Sequence, residues 1–302
     1  MLYEVSVKLH LQHMKFLNAS PGTITNHACY LKSFGVFLAE NGIEDVMAVT
    51  PKVIDRYQSE QLTHRHHNKQ VSVATHIHRL VALRRLFDTL IEKNIVLINV
   101  ARKIPLPHFP QKMPPRLPTT KEIHRMLNRM PLRTPIECRN RCAIELFYAT
   151  GIRRNELAGL RASDLNLELS EVRVIGKGLK DRTLPLTPRA SQCLREYVRR
   201  IRKKLAPGPL LFPNMAGGLL QDRDYRCILD GAAARAKIRR KITTHLFRHV
   251  LATELLRNGA NLRSIQEYLG HFCIRTTTQY AHVLGSDLKK VHARTHPREK
   301  GA

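Results

Sequence analysis

Apolar residues recur at helical spacing in two long segments near the start of the chain. The first segment is TITNHACYLKSFGVFLAENG, which ends at Gly42, and its apolar side chains share one helical face: Ile24, Leu31, Phe34 and Leu38. The second segment, SVATHIHRLVALRRLFDTLIEKN, begins at Ser72, whose hydroxyl can cap the first turn of a helix. Because each apolar face must be buried against a partner, the pattern predicts a small helical bundle.

A proline-rich stretch interrupts this pattern. Residues 105–118, PLPHFPQKMPPRLP, contain six prolines in fourteen positions. Proline is excluded from helix interiors and favours an extended, semi-rigid backbone. The sequence therefore predicts an N-terminal helical domain over residues 1–104, a linker over residues 105–118 and a C-terminal domain over residues 119–302.

The C-terminal segment predicts helices with one β-hairpin. TTKEIHRMLNRM has the pattern of a capped helix, and CRNRCAIELFYATG predicts another that ends at Gly151. The runs EVRVI (Glu171–Ile175) and RTLPL (182–186) flank the turn GKGLKD, whose glycines permit a positive φ on either side of Lys177. This combination indicates a mostly helical domain with a small sheet.

Two further helices are predicted near the end of the chain. HLFRH opens one that has an apolar stripe and that places His245 and Arg248 on a neighbouring face. NLRSIQEYLG predicts a shorter helix, after which Gly270 turns the chain before His271. Threonines at 276–278 are candidate caps for a final turn that would carry Tyr280.

Composition points to a polyanionic partner. Lysine and arginine total 51 residues against 24 acidic residues, so the 302-residue chain has a formal net charge of +27. The sequence has no apolar run of about 18 residues, and MLYEVSVKLHLQH lacks the pattern of a signal peptide, so nucleic acid is favoured over a membrane. Six irregularly spaced cysteines are expected to be reduced thiols, and we expect a cytoplasmic protein.

The motifs TGIRRNEL, GKG, HLFRH, LGH and TTTQY, in this order, resemble those of the tyrosine recombinase (phage integrase) family, particularly its Xer-like members. The resemblance spans the whole chain and ends in HARTHPR, which is similar to Xer tails. It implies a mainly α fold: a helical, SAM-like core-binding domain that binds DNA, followed by a mostly helical catalytic domain with a small β-hairpin or sheet, the DNA breaking-rejoining fold.

The resemblance also implies a set of catalytic residues. Carried over by motif, the set is Arg153, Lys177, His245, Arg248, His271 and Tyr280. Arg154 adjoins Arg153, and only the family pattern T-G-hydrophobic-R selects the first of the two. Glu156 is expected to brace Arg153 or its own helix rather than to take part.

These residue types suit phosphoryl transfer to a phenol. Two guanidiniums, Arg153 and Arg248, would clamp the scissile phosphate with His271 donating a hydrogen bond, so no metal or other cofactor is expected. Lys177 would protonate the leaving 5′ oxygen, and His245 would assist proton transfer or contact the phosphate. Attack by Tyr280 would leave a 3′-phosphotyrosine, which a hydroxyl from another strand can reverse without ATP.

The resemblance implies double-stranded DNA as partner. Four copies of the chain, or of the chain and a related recombinase, would act on two duplexes through a Holliday junction. A type IB-like topoisomerase and a non-catalytic DNA-binding regulator stay open as alternatives. Dimer resolution, phage integration and movement of a mobile element are all compatible biological roles.

Overall fold

The computed structural model of the chain describes residues 1–63, 65–66, 69–107, 117–176 and 181–270, without the side chains of residues 62–70. The chain divides into two compact units, Met1–Pro114 and Pro115–Ala302. Residues 108–116, which make up most of the predicted linker, lie outside the described residues. None of the described helices combines the length and the apolar character that a bilayer crossing requires.

The first unit is a helical bundle, as the apolar periodicity predicts. Its helices are α1 (Tyr3–Phe16), α2 (Pro21–Glu40), α3 (Pro51–Thr63) and α4 (Val73–Glu92). Two short antiparallel strands, β1 (Arg65–His66) and β2 (Lys69–Gln70), lie between α3 and α4. The predicted cap of α4 is confirmed, because the hydroxyl of Ser72 accepts the backbone N–H of Thr75 at 3.1 Å. On α2, Leu31, Phe34 and Leu38 are buried as predicted.

A buried pair of histidines joins α1, α2 and α4 in this unit. The Nδ1 atom of His10 lies 2.8 Å from the hydroxyl of Thr89, and its Nε2 atom lies 3.1 Å from Nδ1 of His27. His10 is only 2% exposed. Burial, reinforced by the neighbouring His27, lowers the pKa of His10 from 6.5 to about 4. The bundle is therefore built around a neutral imidazole.

We expect the first unit to lose stability between pH 6.5 and pH 4. Above pH 6.5 His10 is neutral in both states. Below it the unfolded chain takes up a proton that the folded chain excludes, so unfolding becomes easier by about 3 kcal/mol. Hydrogen exchange of the α1 amides, corrected for intrinsic rates, measures this change. His10→Gln should weaken the pH dependence without removing it, because burial also lowers the pKa values of His27 and His76, whereas the same change at exposed His78 should leave it intact. A wild-type profile that is already flat contradicts the assignment.

Helices dominate the second unit as well. They are α5 (Thr120–Asn128), α6 (Pro135–Thr150), α7 (Arg154–Gly159), α8 (Pro188–Glu196), α9 (Asp222–Arg235), α10 (Thr244–Arg257) and α11 (Leu262–Leu269). The predicted start of α5 is confirmed by a capping box, in which Thr119 and Glu122 each accept the other's backbone N–H. The predicted end of α6 is confirmed too, because Gly151 caps it with φ of 59°.

A three-stranded antiparallel sheet accompanies these helices, with the order β3 (Leu165–Asn166), β4 (Glu171–Ile175) and β5 (Asp181–Pro185). The predicted hairpin is confirmed as β4 and β5, and the short strand β3 extends it. Val172 pairs with Leu184, and Val174 pairs with Arg182. Because side chains alternate along a strand, Arg182 lies on the same face of the sheet as buried Val174 and Leu184.

One expectation from the sequence is wrong. The sulfur atoms of Cys142 and Cys193 are joined as a disulfide in the structure, although all six cysteines were expected to be thiols. α6 and α8 pack together and bring the two Cα atoms to 6.1 Å, within the range that a disulfide spans. A separation of 51 residues carries no signal of this contact in the sequence. Cys29, Cys138 and Cys227 are free.

Candidate active site

The site is built around two arginines from remote stretches of the second unit. Arg153 immediately precedes α7, in the N-cap position. The carboxylate of Glu156, one turn into that helix, accepts the Arg153 backbone N–H at 3.0 Å and Nη1 at 2.8 Å. The Glu156 side chain is 8% exposed and that of Arg153 is 35% exposed. The expectation that Glu156 braces Arg153 agrees with these contacts, which leave the guanidinium partly open to solvent.

Arg248 lies in the second turn of α10 and is buried, at 6% exposure. Its Nη1 atom donates to the carbonyl oxygen of Gly151 at 3.1 Å, and its Nη2 atom donates to the carbonyl oxygen of Leu269. The first of these acceptors ends α6 and the second ends α11. Arg248 therefore connects three helices of the unit.

Both arginines meet at the C-terminal end of α11. Arg153 donates from Nη2 to the carbonyl oxygen of Gly270, the residue next to the carbonyl that Arg248 contacts. Gly270 has φ of 63°, so the predicted left-handed turn is confirmed. Gly151 is equally constrained: a Cβ there would lie 3.0 Å from Leu251 and 3.5 Å from the Cα atom of Arg248. The fold thus brings the guanidiniums of Arg153 and Arg248 to the carbonyl oxygens of two consecutive residues, Gly270 and Leu269.

His245 lies in the first turn of α10, three residues before Arg248. Burial and the charges of Arg248, Arg154 and Arg153 lower the pKa of this imidazole, and they outweigh the opposite influence of Asp222. Arg154 itself forms an ion pair with Asp222 at the start of α9. Arg153 and Arg154, which only the family pattern distinguishes in the sequence, thus have different partners.

Lys177, His271 and Tyr280 lie outside the described residues, as do residues 178–180, which were predicted to complete the turn of the hairpin. The elements that lead to them are described: β4 ends at Ile175, and α11 is capped by Gly270. In the part of the chain that the structure describes, no three His, Cys, Asp or Glu side chains are grouped so that they could hold a metal ion.

Sequence reasoning missed Arg182, which the structure places beside Arg153. Its guanidinium donates to both carboxylate oxygens of Glu156, at 3.1 Å and 2.7 Å. Burial of Glu156 tends to raise its pKa, but hydrogen bonds from Arg182 and Arg153 outweigh burial and keep the pKa below its usual value. The sequence signal that could have found Arg182 is the alternation of side chains along β5, because it places Arg182 on the same, buried face of the sheet as Leu184.

A sequence model described as the phage integrase family matches residues 117–286, more than half of the chain. The chain belongs to the phage integrase family. Its match to this family begins just before α5 and includes the segments that carry both arginines, the β4–β5 hairpin, α10 and α11.

Relatives in the phage integrase family extend the match to nearly the whole chain. The tyrosine recombinase XerC of Halalkalibacterium halodurans is 33% identical over 289 residues, which are 93% of this chain and 93% of the relative. The tyrosine recombinase XerD of Corynebacterium glutamicum is 30% identical over 285 residues, which are 92% of this chain and 93% of the relative. The Xer-like resemblance of the motifs is therefore confirmed.

Solved structures of integrase-family proteins share the fold. XerH recombinase bound to its difH substrate superposes with a TM-score of 0.71 at 24% identity, and covers 91% of this chain and 80% of that protein. The Tn1549 transposon integrase in complex with transposon right-end DNA gives a TM-score of 0.73 at 17% identity, over 96% of this chain and 99% of that protein. The predicted mainly α architecture with a small sheet is confirmed.

Proposed function

We propose that this chain is a site-specific DNA recombinase of the tyrosine class. The observation that carries the proposal is that Arg153 and Arg248 meet at the end of α11. Two neighbouring guanidiniums can donate hydrogen bonds to the two non-bridging oxygens of one phosphodiester. Membership of the phage integrase family and the net charge of +27 support the same conclusion. Double-stranded DNA is accordingly the substrate.

The proposed chemistry exchanges one phosphate ester for another. The phenol oxygen of Tyr280 attacks the scissile phosphorus, the bond from phosphorus to the 5′ oxygen breaks, and a 3′-phosphotyrosine forms. Arg153 and Arg248, assisted by His271, stabilise the negative charge that grows on the non-bridging oxygens. Attack by the 5′ hydroxyl of another strand reverses the step and releases Tyr280, so neither ATP nor a metal ion is needed.

Two proton transfers accompany this exchange. His245 is assigned as the acceptor of the phenolic proton, because its lowered pKa keeps the imidazole neutral near pH 7. Lys177 is assigned as the donor to the leaving 5′ oxygen. Its place in the sequence between β4 and β5 supports this role, because Arg182 of β5 contacts Glu156.

The proposal includes the domain roles and the assembly. Residues 1–104 would bind DNA, residues 105–118 would connect the domains, and residues 119–302 would carry the chemistry. Four protomers, or a mixture with a related recombinase, would act on two duplexes through a Holliday junction in the cytoplasm. A type IB-like topoisomerase or a regulator is less well supported, because relatives that match over nine tenths of the chain are named recombinases.

Covalent capture on DNA tests the function. Nicked duplexes of randomised sequence, in which the fragment after the cut diffuses away, should trap the wild-type chain as an adduct that resists denaturing gels. Sequencing of the captured duplexes gives the preferred site. A plasmid that carries two copies of that site should then recombine, since a strand can be rejoined to a different partner.

The same assay separates the alternatives. A regulator forms no adduct on any duplex in the pool. A topoisomerase forms the adduct and relaxes a supercoiled plasmid, but it captures duplexes without a shared sequence and does not recombine the two-site plasmid. Either result contradicts the proposal.

A further inference from the structure

We propose that Arg182 is a positioning residue for the reaction: through the carboxylate of Glu156 it fixes the guanidinium of Arg153, and it ties the β4–β5 hairpin to the end of α11. The proposal rests on the proposed function. Arg182 lies in the predicted strand RTLPL but in none of the five family motifs quoted above. Its role follows from the contacts of its side chain with α7 and with the end of α11, and from its own place in β5.

The first contact is with the carboxylate that Arg153 also uses. Arg182 occupies both oxygens of Glu156, at 3.1 Å and 2.7 Å, while Arg153 binds the same oxygens through Nη1 and its backbone N–H at 2.8 Å and 3.0 Å. The side chains of Arg182 and Glu156 are 14% and 8% exposed. Since a planar guanidinium grips a carboxylate in one orientation, Arg182 defines the direction in which Glu156 faces Arg153.

The second contact is with the end of α11. The Nε atom of Arg182 donates to the carbonyl oxygen of Tyr268 at 3.3 Å. A Cβ at Gly270 would come within 3.2 to 3.4 Å of three guanidinium atoms of Arg182, so the plane packs directly on that glycine. The carbonyl of Gly270 in turn accepts from Arg153. Arg182 therefore touches both groups that hold Arg153, Glu156 and Gly270.

The third element is the hairpin itself. Arg182 is the second residue of β5 and pairs with Val174 of β4. Val174 and Leu184 anchor the strands in the core. The position of Arg182 is thus set by the sheet, and the sheet is connected through one guanidinium to α7 and α11. A surface ion pair would lack these buried neighbours.

A matched pair of arginines on the sheet allows the role to be tested. Arg173 on β4 also pairs with a carboxylate, that of Asp181, but it is 63% exposed and contacts neither Glu156 nor α11 in the described residues. The variants are Arg182→Met and Arg182→Lys, with Arg173→Met and Arg173→Lys as controls. Lysine retains the charge but cannot bind both oxygens of Glu156 and the Tyr268 carbonyl in one plane.

The first measurement uses the full chain without DNA. With ¹⁵N-labelled arginine, the Nε–Hε resonance of Arg153 is assigned by its loss in Arg153→Lys. We expect Arg182→Met to shift or broaden this resonance and Arg173→Met to leave it in place. If the methionine variant unfolds, Arg182→Lys with an unchanged melting temperature serves instead. An unchanged Arg153 resonance in the folded Arg182 variant overturns the proposal.

The second measurement is single-turnover cleavage of a nicked duplex recovered by covalent capture. We expect Arg182→Met to cleave about 100-fold more slowly, with DNA affinity within about threefold of wild type, because small displacements of a clamp cost rate rather than binding. Combined with Arg153→Lys, it should add less than about threefold. If the rate losses of the two substitutions multiply fully in the double variant, the proposal is overturned.

A wild-type chain that forms no adduct rejects the recombinase function. The Arg153 resonance measured without DNA then tests the positioning role of Arg182 independently.

Discussion

Tyr280→Phe is expected to abolish the covalent adduct on nicked DNA. Phenylalanine keeps the ring but has no oxygen with which to attack phosphorus, so cleavage should fall below detection. Binding to the captured duplex should stay within about twofold of wild type, because a single hydroxyl is lost from a large, phosphate-dominated interface. Denaturing gels measure the adduct, and fluorescence anisotropy measures the binding.

A second tyrosine from the same part of the chain provides the control. Tyr268 lies in α11, where its hydroxyl approaches the carbonyl oxygen of Ala149 at 3.5 Å. Burial raises the pKa of this phenol, which makes it a poor nucleophile at neutral pH. Tyr268→Phe should form the adduct at close to the wild-type rate. An adduct in Tyr280→Phe, or its loss in Tyr268→Phe alone, would assign the nucleophile elsewhere.

Arg248→Lys is expected to slow cleavage by about 10²- to 10³-fold, the range seen when one donor to a transition-state oxyanion is removed. Lysine preserves the charge but loses the fork that contacts the carbonyls of Gly151 and Leu269 and that would face the phosphate. The loss should appear in the single-turnover rate at saturating enzyme. DNA affinity should change by less than about threefold, since most phosphate contacts are elsewhere.

Arg257→Lys is the matched control on the same helix. Arg257 ends α10, is 52% exposed and pairs only with Glu254 among the described residues. Its substitution should leave the rate within about twofold of wild type. Melting temperatures of both variants must be measured, because Arg248 is buried and its loss removes donors from two helix ends. A normal cleavage rate in folded Arg248→Lys would remove this residue from the proposed phosphate clamp.

Much of the fold could be predicted where a long element has one buried face. α2 and α4 are 20 residues each, so their apolar periodicity repeats over several turns and their caps are recognisable. The ends of α6 and α11 were predictable because a left-handed turn there favours glycine, and Gly151 and Gly270 both adopt it. These are local rules, and local sequence suffices for them.

Short elements were not predictable for the same reason. α7 has six residues and β3 has two, which is too few to repeat a pattern of period 3.6 or 2. β3 forms because its backbone pairs with the free edge of β4, where Leu165 lies opposite Val172. The stability of β3 depends on its pairing with β4, and the two residues of β3 alone do not indicate that pairing.

The site shows the same division between local and remote information. The H-x-x-R spacing of His245 and Arg248 is local, and family resemblance supplied the role. The bonds from Arg182 to Glu156 join residues 26 positions apart, and those from Arg153 to Gly270 join residues 117 apart. The disulfide between Cys142 and Cys193 depends in the same way on how α6 and α8 pack. Only the assembled fold reveals such contacts.

The helix ends at Gly151 and Leu269 have a consequence for how the reaction responds to acidity. A helix C-terminus carries about half a negative charge as a permanent dipole, so the carbonyl oxygens at these two helix ends stabilise the guanidinium of Arg248. Among the described residues, Arg153 and Arg182 share the carboxylate of Glu156, whose pKa lies below its usual value because of their hydrogen bonds. The carboxylate of Glu156 therefore stays ionised near neutral pH. The ionised Glu156 continues to hold Arg153 in this range, and we expect a pH profile of cleavage there to report on the proposed proton-transfer groups and on His271.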